Sequence, residues 1–276
     1  MLFGSHVSIA GGAFNAPINA AAEGCEVFQM FTRSPRGGAA PKLTPDVVKQ
    51  FKAACAEHGF KQYYVHAPYY VNLASSQAAT YNASIKIIRE ELERGSLLGV
   101  EALMIHIGSA KDLDRPQALD KAIAGLKKIL AGYTGSTQLL LELSAGSGNV
   151  IGNTFEELAF ILKQLKSSVG ICLDTCHAFA SGYDLRTKTG VETTLKDFDK
   201  TIGLSRLKLL HLNDSKKELG SHVDRHEHIG QGEIGLAGFK ALISHPKLKK
   251  INGILETHKD GNWPAKNLKI LKDLRQ

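Results

Sequence analysis

Residues 223–235 read VDRHEHIGQGEIG. Asp224, His226, Glu227 and His228 crowd carboxylates and imidazoles together, and Gly230, Gly232 and Gly235 follow at spacings that suit turns. Imidazole and carboxylate are the donors a zinc-like divalent ion takes. One Asp-x-His pair is too few, so further ligands must come from elsewhere. Candidates recur at the ends of short apolar runs. His66 closes QYYVHA (62–67), His106 lies in ALMIHIG (102–108) and Glu142 in QLLLEL (138–143). Asp174 lies in GICLDT (170–175) with His177 three residues on, His211 in LKLLHLND (207–214) and Glu256 in NGILET (252–257).

Singly, each of these has a plain structural reading: a histidine packed at a strand end, a carboxylate capping a loop. Jointly they do not, because successive runs all end in imidazole or carboxylate. Such a set fills two or three zinc-like sites, with a carboxylate such as Glu142 bridging two ions. No cysteine occupies these positions, which favours open catalytic sites over closed thiolate ones. His6, in GSHVS, is a further strand-end candidate, while His58, His222 and His245 read as loop or helix-end residues. His228 and His258 read as neighbours of ligands rather than ligands, and Cys172 and Cys176 as packing beneath them. The glycines after His228 do not make a dinucleotide site, since ligands and not a strand precede them.

Something must bring these chain-distant donors together. With LFGSHVSI (2–9) and EVFQMF (26–31) the apolar runs number eight, mostly continuous, as in strands buried on both faces. Helical stripes lie between them. Thr44 and Pro45 open one that Gly59 stops, and Thr154 with Glu157 forms a capping box for another. Others are predicted over 78–98, 116–130, 194–204, 236–244 and 264–274. Eight strands alternating with helices is the count of a (β/α)8 TIM barrel, although periodicity alone also suits an open doubly wound sheet. The barrel is preferred because every strand's C-terminal end then faces one mouth, where an open sheet would string the donors along a line.

The bulk properties are those of an ordinary globular chain: 276 residues, 43% hydrophobic, 22% charged. Nothing marks a domain boundary, so one domain over 1–276 is expected. The net charge of +7 suits an anionic partner. The opening MLFGSHVSIAGG is not a signal peptide, no apolar run is long enough to cross a membrane, and the four cysteines read as reduced thiols. A cytoplasmic protein is expected.

The blocks GSHVSIAGG, HAPYYVNLAS, HIGS, CLDTCHAFASGYD, HLNDSKKELGSHVDRHEHIGQGEIG and ILET resemble those of the endonuclease IV family of abasic-site DNA endonucleases, from residue 4 to residue 256. The resemblance implies a (β/α)8 barrel with three zinc ions. The first would be held by His66, His106 and Glu142, the second by Glu142, Asp174, His211 and Glu256, and the third by His177, Asp224 and His226. It implies hydrolysis 5′ to an abasic site in duplex DNA by a metal-activated hydroxide, leaving a 3′-hydroxyl and a 5′-deoxyribose phosphate. Glu142 and Glu256 would be catalytic, and no obligate protein partner is implied. It gives Tyr69 the role of a wedge in the base stack with Tyr70 beside it, and Arg33 and Arg36 become candidate DNA contacts. Three departures stand out: Leu143-Ser144 where the family usually has Asn-Thr, Thr257 where proline is common, and no tryptophan near Gly38.

Two other readings compete. A sugar isomerase or epimerase on the same barrel explains His106, Glu142, Asp174, His211 and Glu256, but leaves His177, Asp224 and His226 without a role. A non-enzymatic DNA-binding scaffold with structural metals fits poorly with thiolate-free, three-ligand sites.

Overall fold

The computed structural model describes residues 1–165 and 167–276. Eight parallel strands close on themselves: β1 (Phe3–Val7), β2 (Val27–Met30), β3 (Tyr63–His66), β4 (Ala102–Ile105), β5 (Gln138–Glu142), β6 (Gly170–Asp174), β7 (Leu207–His211) and β10 (Asn252–Leu255). Closure is made by β1, which pairs with β2 on one side (Gly4 opposite Val27) and β10 on the other (Phe3 opposite Gly253). Between β7 and β10 a short antiparallel ladder pairs β8 (Asp214–Ser215) with β9 (His226–Glu227).

Side chains alternate across a strand, and that alternation builds two apolar layers. Leu139 and Leu141 of β5, like Leu103 and Ile105 of β4, face outward into the main core beneath the helices. The intervening positions Val27, Tyr64, Ala102, Met104, Leu140, Cys172, Leu209 and Ile254 fill the barrel interior. Two residues beyond these on the same face stand Gln29, His66, His106, Glu142, Asp174, His211 and Glu256. The polar ring at the mouth is thus the layer above an apolar plug.

The outer ring is α1 (Asn15–Glu23), α2 (Pro45–Glu57), α3 (Ala78–Leu98), α4 (Arg115–Leu130), α5 (Phe155–Leu165), α6 (Thr175–Ala180), α7 (Lys188–Thr201), α8 (Gly235–Ser244) and α9 (Trp263–Arg275). Thr44 caps α2 as its sequence predicts, accepting from Val47 N at 3.3 Å. Only half of the capping box at α5 forms. Thr154 Oγ1 accepts from Glu157 N at 3.2 Å, but the Glu157 carboxylate turns to Gly152 N and Arg115 instead. Two helices, α1 and α6, are not marked by the sequence pattern, and the start of α7 needs correction. α1 has no bulky stripe, since it buries only Ala16, Pro17 and Ala20. α7 begins at Lys188 rather than 194, because its first turn is polar and Thr187 caps it through Gly190 N. α6 is too short to carry a period, starting directly off β6 with Asp174 as its cap.

Arg33 is also placed differently from expectation. It is only 5% exposed, and its guanidinium is held by Glu91 at 2.6 Å and Glu90 at 2.8 Å. Glu91, fully buried on α3, also accepts from Thr32 Oγ1 at 2.5 Å, while Arg94 binds the Thr32 hydroxyl and carbonyl. The network pins the loop after β2 to α3 and engages the Arg33 guanidinium with two carboxylates. Breaking a buried ion pair from one side strands the other charge. Glu91→Gln is therefore expected to destabilise the fold by about 3–5 kcal/mol, measured by denaturant unfolding; a change below about 1 kcal/mol would mean the arginines find other partners.

Candidate metal centre

The strand ends place the sequence-predicted donors around Glu142, which is fully buried. His66 Nε2 lies 3.1 Å and His106 Nε2 3.4 Å from Glu142 Oε2. On the other oxygen, His211 Nδ1 lies 2.9 Å and His177 Nδ1 3.4 Å from Oε1. His211 Nδ1 is also 3.1 Å from Glu256 Oε2 and 3.9 Å from Asp174 Oδ2. Among the described residues, four groups of donors have ligand atoms mutually within 4.8 Å, two of them being His66, His106 and Glu142, and Glu142, Asp174, His211 and Glu256. These coincide with the first two sets that the family resemblance implies.

The third set is assembled by the β8–β9 ladder. Asp224 spans two imidazoles, with one oxygen 3.3 Å from His177 Nε2 and the other 3.3 Å from His226 Nε2. Asp174 also borders this group, forming a cluster with His177 and His226. Cys176 stands close to Asp224 and His226. Burial pushes its thiol up to about 12, and it packs against the Arg225 carbonyl.

The donors are oriented for a cation. An imidazole whose one nitrogen donates a proton offers its lone pair on the other. His66 Nδ1 faces Ala67 O at 2.6 Å, His177 Nδ1 faces Leu143 O at 2.9 Å, and His226 Nδ1 faces Glu256 O at 3.3 Å. In each case the second nitrogen points into the cluster. His177 Nε2 and His226 Nε2 are buried with no hydrogen-bond partner among the described residues, a costly arrangement that coordination would relieve. The residues therefore fit divalent ions.

Carboxylates and imidazoles each offset the effect of burial on the other. Burial raises the Glu142 pKa, yet the imidazoles of His211 and His106 take it well below the usual carboxylate range. Burial lowers that of His177, but the carboxylates of Asp174, Asp224 and Glu142 carry it well above the ordinary value. Asp224, opposed by burial, is brought down to about 2 by His177 and its neighbours.

Several supports were not evident in the sequence. Asn213, fully buried, donates to Asp174 Oδ2 at 2.6 Å and accepts from Glu256 N at 2.8 Å. Gln29 joins His211 to Glu256. Its signal was phase: it is the second inward position of β2, as His66 is of β3. Asp214 explains the three glycines. Its carboxylate accepts from the backbone N–H of Ser215, Gly230, Gly232 and Ile234 at 2.8–3.1 Å. A Cβ on Gly232 would lie 2.3 Å from Ser215 O and 2.7 Å from Asp214 Oδ1. VDRHEHIGQGEIG is thus a ligand pair followed by a nest of amides wrapped on one buried carboxylate. Asp214→Ala should orphan those amides and lower stability by roughly 3 kcal/mol or more, a fall in Tm of about 6–12 °C. Calorimetry would check this, and an unchanged Tm would refute the anchoring role.

The remaining histidines sit outside the ring. His228 stacks on Trp263 with ring centroids 4.0 Å apart and binds Asp260 and Asn267. His6 packs on Phe31 and lies 3.6 Å from Glu256 Oε1. His258 is exposed at the rim, and His245 pairs with Glu192. Tyr69 is 58% and Tyr70 37% exposed. Both border a cavity of about 630 Å³ that reaches His106, His177 and Asp224. Arg36 is exposed on the loop after β2. Of the departures from the family pattern, Leu143 keeps its carbonyl on His177, Ser144 bonds Ile151 O, and Thr257 accepts from Asn267.

Comparison with known proteins agrees with this geometry. Residues 18–274 match the family model described as xylose isomerase-like TIM barrel. The chain is 41% identical over 277 residues to a probable endonuclease 4 of Chlorobium phaeobacteroides, covering 99% of this chain and 97% of that one. The crystal structure of endonuclease IV from Thermus thermophilus superposes with a TM-score of 0.89 at 35% identity, covering 99% and 98% of the two chains. A D-tagatose 3-epimerase-like protein superposes at 0.77 but with 22% identity, covering 99% and 97%, a likeness of fold alone. On sequence identity along almost its whole length, and on its barrel, this chain belongs to the endonuclease IV family.

Proposed function

We propose that this chain is a DNA-repair endonuclease that hydrolyses the phosphodiester 5′ to abasic sites in duplex DNA, leaving a 3′-hydroxyl and a 5′-deoxyribose phosphate. Residues 1–276 act as one catalytic domain. Three zinc ions would be held as follows: one by His66, His106 and Glu142, a second by Glu142, Asp174, His211 and Glu256, and a third by His177, Asp224 and His226. The observation that carries the reading is the third donor set. A sugar isomerase of the same barrel class needs one or two metals and has no use for Asp224 between two imidazoles. The absence of thiolate from each of these three sets supports open, reactive sites over structural ones. Membership of the endonuclease IV family supports the substrate class.

Zinc bound there supplies positive charge for the phosphate and the departing 3′ oxygen, and it lowers the pKa of water to about 7 so that attack can proceed at neutral pH. The protein's own groups do the rest. Glu142 has both oxygens engaged, one toward His66 and His106 and the other toward His211 and His177, so its full charge serves two sites. Glu256 has Oε1 held by Gln29 and Oε2 turned inward toward His211, which lets it orient the attacking water. Burial of Glu142, Asp174 and His211 strengthens the electrostatic contacts among them.

Selectivity follows from access. The mouth admits an extruded nucleotide rather than a stacked one, and extrusion costs least where no base remains to unstack. Tyr69 is the wedge, with Tyr70 beside it; their exposure next to the donor ring supports this. Arg36 and the net charge of +7 favour the phosphate backbone. The test is incubation of the zinc-loaded protein with a duplex carrying one chemically reduced abasic site, which hydrolysis can cleave and elimination cannot. A single nick with a polymerase-extendable 3′ end is expected. No nick, or equal cutting of the intact duplex, would overturn the proposal.

A further inference from the structure

Gln29 lies at the inward end of β2, fully buried, between groups from β1, β7 and the end of β10. Its amide orientation is determined by its neighbours. A carboxylate only accepts, so the atom 2.6 Å from Glu256 Oε1 must be the donating Nε2. The second Nε2 proton then faces His6 Nδ1 at 2.9 Å, and Oε1 faces His211 Nε2 at 2.9 Å. Oε1 has no proton to give, so His211 must donate from Nε2. That leaves Nδ1, 2.9 Å from Glu142 and 3.1 Å from Glu256, as the nitrogen whose proton a cation would replace.

His66, His177 and His226 are set the other way round, with Nδ1 against a backbone carbonyl (Ala67 O, Leu143 O and Glu256 O) and Nε2 toward the cluster. Of these four imidazoles, His211 takes its tautomer from a side chain, and that side chain also grips a second member of the same donor set. We infer that Gln29 is the positioning residue of the Glu142–Asp174–His211–Glu256 site, selecting the His211 tautomer and holding Glu256 so that Oε2 turns inward. The inference rests on the metal-site reading above.

One amide thus does two tasks, and two substitutions disturb them differently. Gln29→Met keeps the volume and removes all three side-chain hydrogen bonds. Gln29→Glu keeps an acceptor for His211 but sets a carboxylate against Glu256. Partners of this kind are worth about 10–100-fold in metal affinity. Both variants should therefore hold one ion per chain about 10–100-fold more weakly, while the remaining ions are held as in the unaltered protein.

The experiment is a competition titration of zinc between the protein and a chromophoric chelator, run on the unaltered chain, Gln29→Met and Gln29→Glu. ¹⁵N NMR of the zinc-loaded unaltered protein reads the His211 tautomer directly. The expected result is one class of weakened site in each variant and a proton on His211 Nε2. Unchanged affinity for every ion in a folded variant, shown by circular dichroism, would overturn the role of Gln29 while leaving the metal centre intact. So would a His211 proton on Nδ1, a result that needs no variant to fold. An unaltered chain that takes up no zinc would instead overturn the centre itself, and with it this inference.

Discussion

Glu142→Gln is expected to lower incision at an abasic site by more than about a hundredfold, because partners that merely orient a ligand already cost about 10–100-fold and Glu142 is shared by two donor sets. The reason is charge rather than shape. Glutamine fills the same volume and still presents one acceptor oxygen, but its amide turns N–H protons toward two of the surrounding histidines. Burial raises the pKa of the carboxyl at this position, and the facing imidazoles bring it well below the usual carboxylate range. A neutral bridge would leave two neighbouring cations repelling each other in a low-dielectric pocket. The fold should persist, since β5 keeps its register and its core residues Leu139, Leu140 and Leu141. Steady-state incision and zinc counting on the same preparation would check both points. Retention of a tenth of the unaltered activity would contradict the bridging role.

Complete removal of metal should abolish incision, and it should do so in two phases. The donors differ in access. Glu142, Asp174 and His211 are fully buried and His66 nearly so, whereas the Asp224 side chain is 46% exposed. A strong chelator can reach the ion at His177, Asp224 and His226 directly, but the inner sites only through the mouth. One equivalent of zinc per chain should therefore leave first, followed much more slowly by the other two. Stopped-flow chelation with a zinc-responsive dye would resolve the phases, and incision assayed at each stage would assign function to them. Undiminished incision after verified loss of all metal would exclude the mechanism. A single phase would mean that the centre opens as a unit.

Much of this centre could be read from residue types alone. Imidazole or carboxylate ends run after run, and a barrel is the arrangement that carries such ends to one place; the structure closes the barrel and brings all nine donors to one mouth. The Asp224 and His226 pair was evident because a loop has no packing reason to concentrate ligands. Elements without bulky periodicity were harder to see. α1 packs through alanines, the first turn of α7 is polar, and α6 is shorter than two turns.

What the sequence determined by itself was the inventory of donors, the count and order of the barrel strands, and the family, since each is written in residue identity and a short period. Tertiary structure alone decided which polar residues serve that centre and which are spent elsewhere. Arg33 could not be told from Arg36 by type, yet one is locked between Glu90 and Glu91 and the other lies exposed. Asp214 could not be told from Asp224, yet the first anchors a turn through its amides and the second faces two imidazoles. Gln29, with no ionisable group to draw attention, acquires its place only when closure of the sheet sets β2 opposite His211 and Glu256. Hydrogen bonds and ion pairs depend on neighbours far away in the chain, and those neighbours exist only once the barrel has closed.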